Sequence, residues 1–330
     1  MENLNKKNDQ IALGLQKMVS DKLFNGRDAN SFEPAKQPKK HIFEDGTIYV
    51  NDIEYGKTYP NSFLDIWYAA DDGVKRPTII QAHGGGFIFG DKIVGDPLAN
   101  DNSGDLPYFK DLISHGYNVV AVNYCLAPQY RAPIQLIQYN QMIEFLVNNA
   151  ESLNLDMENV ILLGGSAGAC LAAIYGLAIC NEQYAKKIGF VPAIEKKSVK
   201  ALVLDEISLS TAMIASQEGM VILYSAWYGN PDMNCEIAQL LDVAKHVTDE
   251  YIPAYLTASN EGNVFENSAK SLKKELDRIG VENELWFLTQ EESEELKHGF
   301  MNTFKTNKYA KDCYEKMLTF VAKQVSKQNS

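Results

Sequence analysis

"NVILLGGSAGACLAA", residues 159–173, ends an apolar run on two glycines, sets Ser166 between Gly165 and Ala167, and opens a second apolar segment. A short apolar run bounded by glycine predicts a buried strand, and the longer Ala- and Leu-containing run after it predicts a helix. Ser166 then occupies the strand-to-helix turn of a G-x-S-x-G motif spanning Gly164 to Gly168. Such a turn needs small neighbours, because side chains flanking a strained serine would collide with the strand and the helix. An inert hydroxyl on a tight packing turn accounts for this stretch equally well, so the rest of the chain has to decide.

On both sides of the stretch the pattern alternates. Strands are predicted at "PTIIQA", "NVVAVNY", "NVILLGG", "VKALVLD", "IPAYLTA" and "ENELWFLT", with helices between them around "LPYFKDLISHG", "PIQLIQYNQMIEFLVNNAESL" and "NSAKSLKKELDRIG" and a last helix near "YAKDCYEKMLTFVAKQV". Strands alternating with helices, their apolar runs buried on both faces, predict an α/β fold with a mostly parallel central sheet covered by helices on both faces. Two earlier β-rich runs, "TIYV" and "FLDIWYA", read as a hairpin across "YGKTYPN". Ile11, Leu15, Met18, Val19 and Leu23 recur at helical spacing and predict an amphipathic N-terminal helix, followed by a polar, proline-containing connector at 25–40. After Asp205, the end of the sixth predicted strand, the alternation lapses over a stretch longer than an ordinary connection, which predicts a helical insertion. The expected organisation is an N-terminal helical cap segment and connector over 1–45, then one α/β domain over 46–330 with a cap insertion at about 206–247.

The 330 residues carry a formal net charge of −12 and a pI near 5.0. That balance argues against nucleic acid as a partner, since phosphate binding is driven by Lys and Arg displacing counterions. No apolar run approaches the roughly 18 residues a membrane span needs. The N-terminus lacks a hydrophobic region followed by a small-residue cleavage site, which predicts a cytoplasmic protein. The five cysteines (Cys125, Cys170, Cys180, Cys235 and Cys313) are scattered without a C-x-x-C pair and read as reduced thiols. The five histidines show no ligand spacing, so neither a metal nor an organic cofactor is expected. The expected partner is a small-molecule ester, and a homodimer is compatible with this reading.

Two further stretches carry chemistry. "QAHGGGFIFG", residues 81–90, follows a buried strand with three consecutive glycines. Unshielded backbone N–H groups aimed at one point can hold the oxyanion of a tetrahedral intermediate. A dinucleotide loop is the competing reading, but Gly84 and Gly86 are followed by Phe89 where that motif needs its last glycine. "LKHGFMN", residues 296–302, puts His298 in a loop after the last predicted strand, where a general base belongs in the chain order serine, acid, histidine.

With "HGGGF", "NYCLAPQYRAP", "GGSAG" and "HGF" in this order, the chain resembles the hormone-sensitive-lipase-like esterases of the α/β-hydrolase fold over roughly residues 45–320. The resemblance implies a serine carboxylesterase acting on short, acetyl-type acyl esters. It also implies an oxyanion hole from Gly85, Gly86 and Ala167, with His83 positioning that loop. The chain departs from the family pattern in having Gly165 before the serine where an aspartate is usual, and "YCLAPQ" where Y-R-L-A-P-E is common. A deacetylase of acetylated sugars uses the same chemistry, and a non-catalytic small-molecule receptor on the same scaffold is the competing function.

The acid is the open member. In the resembling family it is an aspartate just beyond the strand that here reads "IPAYLTA", and this chain continues "SNEGNVFEN", which puts Glu261 at that place. Asp249 and Glu250 precede the strand and fall at the wrong end of the sheet, since sites in open α/β sheets gather at the carboxyl ends of strands. Glu266 falls in the following helix. Asp205 and Glu206, at the end of the preceding strand, are the alternatives. The run "QEESEEL" reads as a solvated loop, and Trp227 with the tyrosines of the insertion as cap core or as the wall of an acyl pocket.

Overall fold

The computed structural model describes residues 2–35, 39–98 and 104–327, so residues 36–38 of the expected connector lie outside the described residues. Among the described residues nine strands form one sheet: β1 Lys40–Ile42, β2 Ile48–Glu54, β3 Phe63–Tyr68, β4 Pro77–Ala82, β5 Asn118–Val122, β6 Asp156–Gly165, β7 Val199–Asp205, β8 Ala254–Thr257 and β9 Asn283–Trp286. Their order is β1-β2-β3-β5-β4-β6-β7-β8-β9. The first three strands and the β3–β5 pair are antiparallel, and from β5 across to β9 every pairing is parallel. The insertion therefore follows the seventh strand rather than the sixth. The extra strand, β1, has three residues, "KHI", whose burial alternates only between exposed and half-exposed, so no apolar alternation marks it.

The described residues also form ten α-helices: α1 Glu2–Leu23, α2 Leu106–Ser114, α3 Ile134–Asn148, α4 Ala167–Cys180, α5 Glu182–Ile188, α6 Thr211–Ala215, α7 Glu218–Tyr228, α8 Glu236–Leu241, α9 Val264–Ile279 and α10 Lys308–Ser326. The period-2 geometry of the strands sorts their side chains into two cores. Ile80, Val120, Leu162, Leu202 and Leu204 meet α3, α4 and α9 on one face, while Ile79, Val119, Ile161, Ala201 and Val203 meet α2 and α10 on the other. Every residue of β5 and of β7 is buried, as expected for parallel strands covered on both sides. The central helix α4 is buried nearly all round, and its small residues allow a close approach to the sheet. A Cβ on Gly176 would lie 2.8 Å from Leu202 Cδ1.

The N-terminal helix forms, but its buried stripe is Asn8, Ala12, Gln16 and Ser20, while Ile11, Met18 and Leu23 of the expected apolar face are exposed. The reason lies in what α1 covers. Gln16 Nε2 donates to the carbonyls of Ile88 (2.7 Å) and Ala127 (3.0 Å), and Asn8 Nδ2 donates to Ser225 Oγ (3.1 Å). Loop carbonyls that would otherwise be buried without partners call for amide side chains, not aliphatic ones. The segment between β7 and β8 carries α6, α7 and α8, and α7 packs against α1 above the carboxyl ends of the central strands. Among the described residues no helix is long and apolar enough to cross a membrane.

Candidate active site

Ser166 follows directly on β6 and caps α4 with φ 54° and ψ −114°, a backbone conformation that costs energy for any residue but glycine. Its own N–H donates to Asp205 O (2.8 Å), carrying the β6–β7 ladder one step past the strand and bracing the turn. The two outer glycines are sterically obligatory. A Cβ on Gly164 would lie 2.1 Å from Gly168 C, and one on Gly168 would lie 2.0 Å from Ala82 O. The Ala167 N–H, at the first position of α4, has no acceptor within the helix.

The glycine loop after β4 lies against this turn. A Cβ on Gly84 would approach Gly165 O to 3.1 Å and Ser166 Cβ to 3.5 Å. Gly85 has φ +99° and leaves room for no side chain, since a Cβ would meet Phe89 O at 2.0 Å. Gly85 O accepts the N–H groups of Ile88 (3.0 Å) and Phe89 (3.1 Å), which folds the loop back on itself. Phe87, itself at φ 64°, is buried and stacks on Trp227 of α7 at 3.6 Å and 9°. Trp227 is wholly buried and donates from Nε1 to Gln135 Oε1 (3.0 Å), so it anchors the cap to the loop rather than lining a pocket.

His83 is held beneath the loop. Its ring stacks on Tyr124 at 4.2 Å, and Nδ1 donates to Gly84 O (2.7 Å). Burial pushes its pKa down to about 4, so the ring is neutral, and a Cβ on Gly90 would strike it at 2.2 Å.

His298 lies in the loop after β9, its ring stacked on Phe265 of α9 at 3.8 Å and 5°. Glu206, immediately after β7, turns at φ 58° and brings Oε2 to 3.0 Å from His298 Nδ1. The same Oε2 accepts the Gly299 N–H, and Oε1 accepts the Ser259 N–H (3.2 Å), so this carboxylate, 1% exposed, has fixed donors on both oxygens. Burial disfavours the charged imidazole, but the Glu206 hydrogen bond and the charges of Glu206, Asp205 and Glu261 outweigh it and raise the His298 pKa above its ordinary value.

Glu261 does not stand against the imidazole. Its Oε2 accepts the backbone N–H of His298 (2.9 Å) and a bond from Asn263 Nδ2 (3.2 Å), on the exposed side of the loop. The expectation that it would face the ring is therefore corrected. The Glu261 carboxylate is taken up by the His298 main chain and by Asn263, and the place at Nδ1 is filled by Glu206 from the neighbouring parallel strand. Glu266 accepts the Gly262 N–H (3.0 Å) at the start of α9. Asp205 is buried, its Oδ1 bonded by the Thr257 hydroxyl, and burial followed by the Glu206 charge pushes its pKa well up.

Ser166, Gly84, Gly85, Glu206 and His298 line one cavity of about 330 Å³. A serine on a strained turn, an imidazole held by a buried carboxylate and a glycine loop packed against the serine turn are the groups that nucleophilic acyl transfer requires. All five cysteines are free thiols.

A model of the BD-FAE family matches residues 64–276. Esterase LipQ of Mycobacterium tuberculosis is 29% identical over 130 residues, 39% of this chain and 29% of that protein. Ethyl acetate hydrolase of Pseudomonas putida is 31% identical over 104 residues, 32% of this chain and 30% of that one. The chain thus spans about three tenths of the length of these curated relatives. Among solved structures, esterase B from Lactobacillus rhamnosis superposes with a TM-score of 0.73 at 18% identity, covering 99% of this chain and 97% of that one. The same esterase inhibited by a tributyrin phosphonate gives 0.74 at 17% identity, covering 100% and 98%. At such identities these likenesses show the α/β-hydrolase fold.

Proposed function

The chain belongs to the BD-FAE family, and on that premise we propose that it is a serine carboxylesterase working through an acyl-enzyme. Ser166 Oγ attacks the ester carbonyl while the far nitrogen of His298 takes its proton. Glu206 holds the Nδ1 proton and offsets the charge that forms on the ring. The oxyanion accepts backbone N–H bonds from Gly85, Gly86 and Ala167, where preorganised donors act without reorganisation. As the intermediate collapses, the carbon–oxygen bond to the alcohol breaks and His298 protonates the leaving alkoxide. Water, deprotonated by the same imidazole, then attacks the acyl-serine; the carboxylic acid departs and Ser166 regains its proton.

The observation that carries this reading is the 3.0 Å contact between Glu206 Oε2 and His298 Nδ1. A non-catalytic receptor on this scaffold would suit a site without an acid, whereas here Glu206 brings a carboxylate from the preceding strand to the His298 ring. A cavity of about 330 Å³ lies at the small end of ligand pockets and supports short acyl groups. The reading is tested with 4-nitrophenyl acetate, butanoate and octanoate, on the wild-type protein and on Ser166→Ala. Turnover should be fastest on the short esters and fall by about 10⁵-fold or more in the variant. Equal inactivity of both proteins on all three esters would sink it.

A further inference from the structure

One departure from the resembling family finds a use in the cavity. Gly165 stands where an aspartate usually precedes the serine, and in the sheet it is the register partner of Asp205 on β7. A Cβ at 165 would lie 3.7 Å from Asp205 Oδ2, in van der Waals contact with that oxygen. Glycine leaves it open. Asp205 lines the cavity, Thr257 occupies its Oδ1, and among the described residues no hydrogen-bond donor reaches its Oδ2 and no ion pair forms with it, the nearby His298 imidazole acting on it only through its charge. A carboxylate is thus delivered beside Ser166 from the adjacent strand instead of from the residue before the serine.

The surrounding wall is matched to a hydrogen-bond donor. Asp105 lines the same cavity, accepting the Val94 N–H (2.7 Å) and forming no ion pair among the described residues. Gln81 Oε1 is buried without a partner. His83, 7% exposed, also lines the cavity, and because its Nδ1 carries the proton its unpartnered Nε2 is an acceptor. No lysine or arginine is among the described residues lining the cavity. Buried acceptors left without donors are costly, and a buried carboxylate without a cation more so.

Resting on the esterase reading above, we infer that this cavity selects esters carrying a protonated amine a few atoms from the scissile carbonyl, with Asp205 as the specificity-determining residue. The ammonium donates to Asp205 Oδ2. Gly165 is the substitution that exposes the carboxylate to it.

The test compares isosteric esters, each kcat/KM divided by that ester's hydroxide-catalysed rate. On the acyl side, 4-nitrophenyl 3-aminopropanoate is set against the butanoate, with the 3-hydroxypropanoate as the neutral donor. On the alcohol side, 2-(dimethylamino)ethyl acetate is set against 3-methylbutyl acetate. The wild-type protein should prefer the amine by at least about tenfold in one arm, the scale of a hydrogen bond to a charged group, and that arm identifies which half of the ester fills the cavity. Asp205→Asn should bring the ratio towards parity, and Gly165→Ser, which covers the carboxylate while leaving its charge in place, should lower it as well. Parity in both arms for the wild-type protein, a ratio unmoved by Asp205→Asn, or a hydroxyl ester preferred as strongly as the amine would overturn the inference. Failure to hydrolyse any of the neutral esters would instead count against the esterase reading itself.

Discussion

Glu206 and Glu261 both bond to His298, one at the ring and the other at the main chain. Glu206 is 1% exposed, accepts on both oxygens from fixed backbone donors and meets Nδ1 at 3.0 Å. Glu261 lies on the outer side of the loop and meets the amide at 2.9 Å. Only the first contact sets the tautomer of the imidazole and stabilises its charged form, while the second tethers the loop that carries it. Two carboxylates of equal charge, close to one histidine, are thus expected to differ greatly in their effect on rate.

Of the substitutions around His298, the largest effect is expected for Glu206→Gln, which keeps the shape but can donate to Nδ1 and so favour the wrong tautomer. We expect kcat on 4-nitrophenyl acetate to fall by about 10³- to 10⁴-fold. A loss smaller than tenfold would show that the Glu206 carboxylate does not set the state of the imidazole. The pH profile sharpens it. In the wild-type protein the acid limb of kcat/KM should lie above the ordinary imidazole value, because Glu206, Asp205 and Glu261 raise the His298 pKa against the opposing effect of burial. Only the neutral ring can take the serine proton, so removing the Glu206 charge should move that limb to lower pH; movement to higher pH would contradict the assignment.

Phe265→Ala comes next. The ring stacked on His298 at 3.8 Å fixes the plane of the imidazole, and losing a contact worth about 0.5–1.5 kcal/mol should cost a few-fold in kcat with little change in KM. The smallest effect is expected for Glu261→Gln. Its amide oxygen can still accept the His298 N–H, so kcat should stay within a few-fold of wild type, the range of one exposed hydrogen bond. A loss approaching that of Glu206→Gln would reverse the two roles.

The same contrast explains what could be read from the chain. Ser166 and the loop at 84–86 were legible because sterics at those turns write themselves into sequence: Gly164, Gly168 and Gly85 each leave no space for a Cβ. The alternation of β4 to β8 was legible because strands buried on both faces must be apolar throughout. The carboxylate at the imidazole was legible only as an alternative to Glu261, because Glu206 acts across the sheet. Asp205 pairs in register with Thr257, so the ends of β7 and β8 lie side by side, and either can offer a carboxylate to the loop after β9. Which one reaches the ring depends on the positive φ of Glu206, and no local pattern marks it. The buried face of α1 was misread for a related reason. Amphipathic spacing locates an apolar stripe, whereas the surface awaiting α1 offers the carbonyls of Ile88 and Ala127.

The most direct test is the rate at which a 4-nitrophenyl alkylphosphonate labels the protein, with the modified residue identified by peptide mass spectrometry. Labelling needs only an activated serine and a receptive oxyanion site, so it separates nucleophile activation from substrate preference. One phosphonyl group is expected on Ser166, formed at nearly the wild-type rate in Glu261→Gln, orders of magnitude more slowly in Glu206→Gln, and not at all in Ser166→Ala. Label on another residue, or Glu261→Gln slowed while Glu206→Gln reacts like the wild-type protein, would contradict it.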